Sequence, residues 1–169
     1  MSDTPNSGIS FNQEGSKTFV KISGRGSFQN SPSFKKFYLA RIESGTTEFH
    51  IDMADCPAMD STFLGTLTSL SVALKKRGGG RVYILEANAR NLETMKNLGI
   101  DRLFVMDHTG EPAPSATLEA VVTEKPTREE ATKQSIDAHE TLVEAFDGNE
   151  TKFRDVISLL KEDLSKKPH

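Results

Sequence analysis

Between Ile9 and Asp107 the chain alternates between apolar runs of strand length and longer stretches with helical spacing, and few folds can use such an alternation. Ile9 to Phe11 and Thr18 to Ile22 are short strand candidates, with Asn12-Gln13-Glu14-Gly15-Ser16 as turn chemistry between them. Phe34, Phe37, Tyr38 and Ile42 recur at helical spacing; Ser31 and Ser33 offer N-caps beside Pro32, and Gly45 offers a left-handed stop. Phe49, Ile51 and Met53 alternate with His50 and Asp52, the pattern of a half-buried strand. After Asp60-Ser61-Thr62, a second helix carries Phe63, Leu64, Leu67, Leu70 and Leu74 as one stripe. Lys75, Lys76 and Arg77 suit its negative end, and Gly78-Gly79-Gly80 breaks it. Val82 to Leu85 reads as a strand. Asn88 is placed to cap a helix with Leu92, Met95 and Leu98, closed by Gly99, and Leu103 to Met106 is a last strand. The order ββαβαβαβ calls for crossover connections and at least a partly parallel sheet covered by helices.

The texture changes after this region. Residues 109–126 include Gly110, Pro112, Pro114 and Pro126 and read as a linker. From 127 to 169 the pattern is helical only. Ala131, Ser135, Ala138, Leu142, Ala145 and Phe146 share one face after a Thr127 cap and before Gly148. Asn149 is placed to cap a second helix with Phe153, Val156, Ile157, Leu160 and Leu164. So short a connection predicts an antiparallel αα-hairpin. A helix pair buries little by itself, so this one is expected to dock on the domain, on a second copy or on a partner. The expected organisation is a domain over 1–108, a linker over 109–126 and a hairpin over 127–169.

Composition removes several classes of function. A net charge of −3 with dispersed Lys and Arg lacks the basic stripe of a nucleic-acid binder. No stretch reaches the roughly 18 to 20 apolar residues of a bilayer span. Residues 1–8 have neither the basic nor the apolar portion of a secretory signal, so the expected location is cytoplasmic. The single cysteine, Cys56, excludes an internal disulfide and reads as a small residue near a strand end. His50, His108, His139 and His169 show no ligand spacing, and His139-Glu140 opens a zincin-like motif that Val143 fails to complete. Neither a metal nor a cofactor is expected.

Few residues offer chemistry. Arg77-Gly78-Gly79-Gly80-Arg81 follows a helix and lacks the Lys-Ser/Thr of a phosphate-binding loop, so it reads as a helix stop. Asp52, Asp55 and Asp60 cluster near one strand end, but no His, Lys or nucleophile stands near them in sequence to complete a catalytic set. They read as a polar loop that orients Ser61, or as carboxylates shown to a partner's metal–nucleotide site. Asp60 or Ser61 can serve as the N-cap of the second helix, worth about 1 kcal/mol.

Ile51-Asp52 followed by Met59-Asp60-Ser61-Thr62-Phe63-Leu64-Gly65-Thr66-Leu67 resembles the STAS domain of anti-sigma-factor antagonists and sulphate transporters. Lys75 to Gly80, Val82 to Leu85, and Gly99-Ile100-Asp101-Arg102-Leu103-Phe104 match the continuation of that pattern. The resemblance covers about Ile9 to Asp107. It implies an α/β fold, a STAS-like mixed sheet of about five strands covered by helices, here followed by the C-terminal αα-hairpin. It also implies a non-enzymatic, bacterial binding module in which Ser61 is the phosphorylation site. Asp55, Ala58, Met59, Asp60 and Thr62 would form an exposed edge that binds an anti-sigma factor or serine-kinase-type regulator. A phosphate is tolerable at this helix start and would repel whatever docks there. Phe63 stands where the family usually has glycine, which raises the question of whether its ring narrows access to Ser61. The hairpin lies outside the family pattern. Two other readings stay open: self-association or docking through Phe146, Phe153 and Ile157, including a homodimer, and a nucleotide- or small-ligand-sensing domain.

Overall fold

The computed structural model describes residues 8–106 and 118–166. The elements are β1 (Gly8–Glu14), β2 (Lys17–Ser23), α1 (Ser31–Glu43), β3 (Glu48–Asp52), α2 (Ser61–Lys76), β4 (Arg81–Leu85), α3 (Ala89–Asn97), a 3-10 turn (Asp101–Leu103), β5 (Val105–Met106), β6 (Glu119–Ala120), α4 (Arg128–Ala145) and α5 (Asn149–Ser165). The sheet order is β5-β4-β3-β2-β1-β6. β2, β3, β4 and β5 run parallel to one another, while β1 is antiparallel to both β2 and β6. The α/β fold with a mixed sheet and a helical C-terminus is therefore present, with six strands where about five were expected. The additional strand, β6, lies inside the segment read as a linker; its two residues add a short edge to β1. Gly110, Pro112 and Pro114 fall outside the described residues.

Local departures from the sequence reading have local causes. Glu14 pairs with Lys17, so only Gly15 and Ser16 make the turn, with Gly15 at φ 60°. Asn12 and Gln13 are polar because β1 has a solvent side. Leu103 belongs to the 3-10 turn, and Phe104 precedes β5 with its ring buried. At the start of α1, Asn30 uses its side chain to accept the Ser27 N–H, at 2.9 Å, and neither Ser31 nor Ser33 is the cap residue. β3 is buried on both faces, not one, because it is central. Val20, Ile51 and Ile84 align across three strands in the core, while Phe19, His50 and Tyr83 align on the opposite face. There the His50 ring stacks on Tyr83 at 4.5 Å and lies tilted against Phe19 at 4.9 Å.

The stripe read on α2 is its core face: Phe63, Leu64, Leu67, Leu70 and Leu74 are all buried. Together with Phe34, Tyr38, Ile22, Phe49 and Ile51 they fill the space between helices and sheet. The hairpin packs on the other side of α2, which is how it meets the domain. Thr127 caps α4 through a reciprocal pair with Glu130, as the sequence suggests. Asn149, expected as a cap, instead lies fully buried in the first turn of α5. Its amide donates to the carbonyls of Leu98 and Leu142, each at 2.8 Å, pinning the hairpin turn to the end of α3.

Candidate functional site at the start of α2

The loop before α2 is held by backbone before any side chain acts. Gly24 N–H donates to Asp55 O, Gly26 N–H to Ala58 O, and Asp60 N–H to Gly26 O, at 2.9 to 3.0 Å. A Cβ on Gly26 would press into the Phe63 ring, so the bare backbone lets the two loops close. Asp60 is the N-cap. One carboxylate oxygen accepts the Phe63 N–H at 2.8 Å, and the other accepts the Phe28 N–H at 2.9 Å. Ser61 is thus the first residue of the helix, and capping makes no demand on its hydroxyl.

That hydroxyl meets a residue 78 positions away. Ser61 Oγ lies 2.8 Å from His139 Nε2 on α4. The other ring nitrogen, Nδ1, is 2.6 Å from the Ser135 carbonyl, which can only accept, so Nδ1 carries the proton. In the neutral ring Nε2 then accepts from the Ser61 hydroxyl. Burial pushes the His139 pKa below its ordinary value and keeps the ring neutral, against the smaller opposing effects of the Ser135 carbonyl and Asp60. Phe153 of α5 covers the ring at 5.0 Å. A serine hydroxyl donating to a neutral imidazole fixed by its second nitrogen is better disposed towards an electrophile than a solvated one.

The remaining residues of the expected edge divide by burial. Asp55 is exposed and pairs with Lys21 at 3.0 Å, raising the lysine pKa. Ala58, Asp60 and Ser61 are half-buried. Met59 and Thr62 are buried, contrary to the expectation of an exposed edge, and α4 accounts for Thr62, whose hydroxyl bonds Ser135 at 2.9 Å. Asp52 is buried and accepts the Ala54 N–H at 2.9 Å. Among the described bonds neither Asp52 nor Asp55 reaches Ser61, so they order the loop without orienting the serine directly. The Phe63 ring points into the core and stacks on Phe34 at 5.2 Å. It does not screen Ser61; His139 does. Cys56 is buried, and burial raises its thiol pKa, in keeping with a packing role. Among the described residues no group of three or more His, Cys, Asp or Glu could hold a metal ion, and no helix is long and apolar enough to cross a membrane.

His139, which the sequence presents only as a would-be metal ligand, is the site residue that local spacing does not find. Its signal lay in α2 rather than in the histidines: no charged residue occurs from Ser61 to Leu74, although 27% of the chain is charged. A helix facing water on one side carries charge there, so a charge-free helix announces cover on both sides.

Because His139 titrates lower in the folded chain than in the unfolded one, the unfolded state binds more protons as pH falls. The contribution of His139 is therefore complete above about pH 6.5 and is lost as pH falls through the lowered folded value. We expect the melting temperature to drop between pH 7.5 and 5.5 more steeply in the native chain than in His139→Gln, by circular dichroism. Asp60 is the charged group facing the ring from α2 and moderates the effect. Equal slopes would show that His139 does not titrate across this range.

A family profile described as "Mlab, STAS domain" matches residues 9–106. A search of curated proteins finds no match. Among solved structures, a crystal structure of a putative anti-sigma factor antagonist from Thermotoga maritima is similar, with a TM-score of 0.52 and 16% identity, over 56% of this chain and 81% of that one. An NMR structure of the same Thermotoga protein gives 0.53 and 16%, over 58% and 79%. The anti-sigma factor antagonist SpoIIAA in its unphosphorylated form gives 0.49 and 16%, over 60% and 89%. At these identities the likeness to the two Thermotoga structures speaks for the fold, and the profile match covers more than half of the chain: it belongs to the STAS domain family.

Proposed function

We propose that this chain is a non-enzymatic partner switch of a bacterial cytoplasm, of the anti-sigma-factor-antagonist kind, regulated by phosphorylation of Ser61. The observation that carries this reading is the division of labour at the start of α2. Asp60 caps the helix, which leaves the half-buried Ser61 hydroxyl available at a helix N-terminus where an anion is tolerated. The partner is an anti-sigma factor or serine-kinase-type regulator that docks on Asp55, Ala58, Asp60 and Ser61, with Met59 and Thr62 behind them. The added phosphate, about −1.5 to −2 charges beside Asp60, then weakens that contact by repulsion and desolvation.

Baits carrying Ser61→Ala and Ser61→Asp, exposed to lysate of the native host and read by mass spectrometry, test the switch. A histidine-kinase-like ATPase retained by the first and lost from the second is the expected result. Identical captures on both baits would remove Ser61 from the partner interface.

Self-association through Phe146 and Phe153 has less to draw on. Of Phe146, Phe153 and Ile157, Phe153 packs against His139, and the Phe146 ring packs over Gly99 and Gly148 while keeping part of its surface exposed.

A further inference from the structure

The outer face of α2 runs back from Ser61 through Thr62, Gly65, Thr66 and Ser69, and α4 lies along it, burying Thr62, Gly65 and Thr66 and half-burying Ser61 and Ser69. Thr66 Oγ1 accepts from the Gln134 amide at 2.9 Å, and the Ser69 hydroxyl donates to Thr141 at 3.1 Å, in series with the Ser61–His139 and Thr62–Ser135 contacts. The helices approach most closely at Gly65, where a Cβ would strike the backbone carbonyl of Ala138. Lys35 of α1 adds an ion pair to Asp137 at 2.9 Å. Apart from that ion pair and the buried Leu142, which joins the core, the contacts named are hydrogen bonds between neutral side chains around small residues, groups that water can satisfy once the helices part. The large apolar side chains of α2 point the other way, into the sheet.

We infer that α4 is a built-in occupant of the Ser61 face, and that a docked hairpin and a phosphate on Ser61 exclude each other. Phosphoryl transfer from ATP would form an Oγ–P bond as the bond from the γ-phosphorus to the ADP oxygen breaks, with ADP leaving and the hydroxyl proton released to solvent. The 2.8 Å between Ser61 Oγ and His139 Nε2 has no room for the phosphoryl group, and the ring behind it is only 4% exposed. The proton that Nε2 accepts would also be gone, leaving phosphate oxygens against an acceptor with Asp60 alongside. The hairpin must then leave the face, as it must for an outside partner that uses the same face. This inference rests on the Ser61 reading for its occasion in the cell, but its geometry can be tested without a kinase.

The test uses the full chain with phosphoserine installed at position 61 during synthesis, compared with the unmodified chain and with Gly65→Leu, whose side chain should wedge α4 away. Hydrogen exchange is read over α4, α5 and the sheet. In the phosphorylated form, exchange across α4 should rise about tenfold or more while strand amides keep their protection. Gly65→Leu should show the same pattern. Unchanged α4 protection in the phosphorylated form would overturn the inference, whether or not Gly65→Leu opens, since the phosphate would then be held under the hairpin. Loss of protection in hairpin and sheet together would overturn it as well, because the hairpin would be part of one cooperative unit. A kinase captured by the baits without opening of α4 would leave the switch standing and remove the cap. Opening without a kinase would do the reverse.

Discussion

Replacing Phe63 with glycine, the residue the family usually has there, should lower the unfolding free energy by about 4 to 6 kcal/mol. About 3 to 5 kcal/mol of this is the transfer and cavity cost of deleting a fully buried phenylalanine, and about 1 kcal/mol is the helix penalty of glycine. The ring stacks on Phe34 at an interplanar angle of 16° and covers the Gly26 backbone, so its loss leaves a hole between α1, α2 and the loop that precedes α1. The family's usual residue is thus expected to be damaging here, because Gly26 and Phe34 have been fitted to a large neighbour. Urea denaturation followed by far-ultraviolet circular dichroism measures the change, with Phe63→Leu as a milder control. A loss below about 1 kcal/mol would mean that the surroundings collapse into the space.

The second large effect is expected at Asn149. Truncation to alanine removes the donor that serves the carbonyls of Leu98 and Leu142 and leaves both buried without it, a cost of about 2 to 4 kcal/mol. Asn149→Asp has nearly the same shape but no donor when ionised, and would set a carboxylate against two carbonyl oxygens. It should be worse than alanine at pH 7 and should recover in part at acid pH as it protonates. Thermal denaturation of both variants at pH 7 and pH 4.5 reads this order. If Asn149→Asp is milder than Asn149→Ala, the bonds to Leu98 and Leu142 are not what holds the turn. Because the site joins the hairpin turn to α3, hydrogen exchange should place the first loosening at the α4–α5 connection.

Much of the fold can be read from the residues themselves. The five-residue stripe of α2, the Asn88 cap of α3, the Thr127 cap of α4 and the strand at Val82 follow from periodicity and capping chemistry, which act over a few residues. β6 escaped because a two-residue strand exists only by pairing with β1, and no local pattern encodes a partner. Asn149 departs from its expected capping role for a similar reason: its type suits a cap, but the Leu98 and Leu142 carbonyls take its amide. The place of Ser61 at the start of a charge-free helix was legible, including the alternative that Asp60 or Ser61 caps it.

The sequence by itself determined an α/β domain, the helix that carries Ser61, and a helical hairpin after it, because each depends on short-range spacing and on which face of an element is apolar; the STAS type came from the resemblance of its motifs to that family. Tertiary structure alone decided that Asp60 holds the cap, that Phe63 faces inward, and that His139, 78 residues away, receives the Ser61 hydroxyl. Those outcomes turn on which surfaces meet. α4 reaches α2 only because Gly65 and Ala138 let two backbones come together, and that complementarity is a property of the packed pair rather than of either helix.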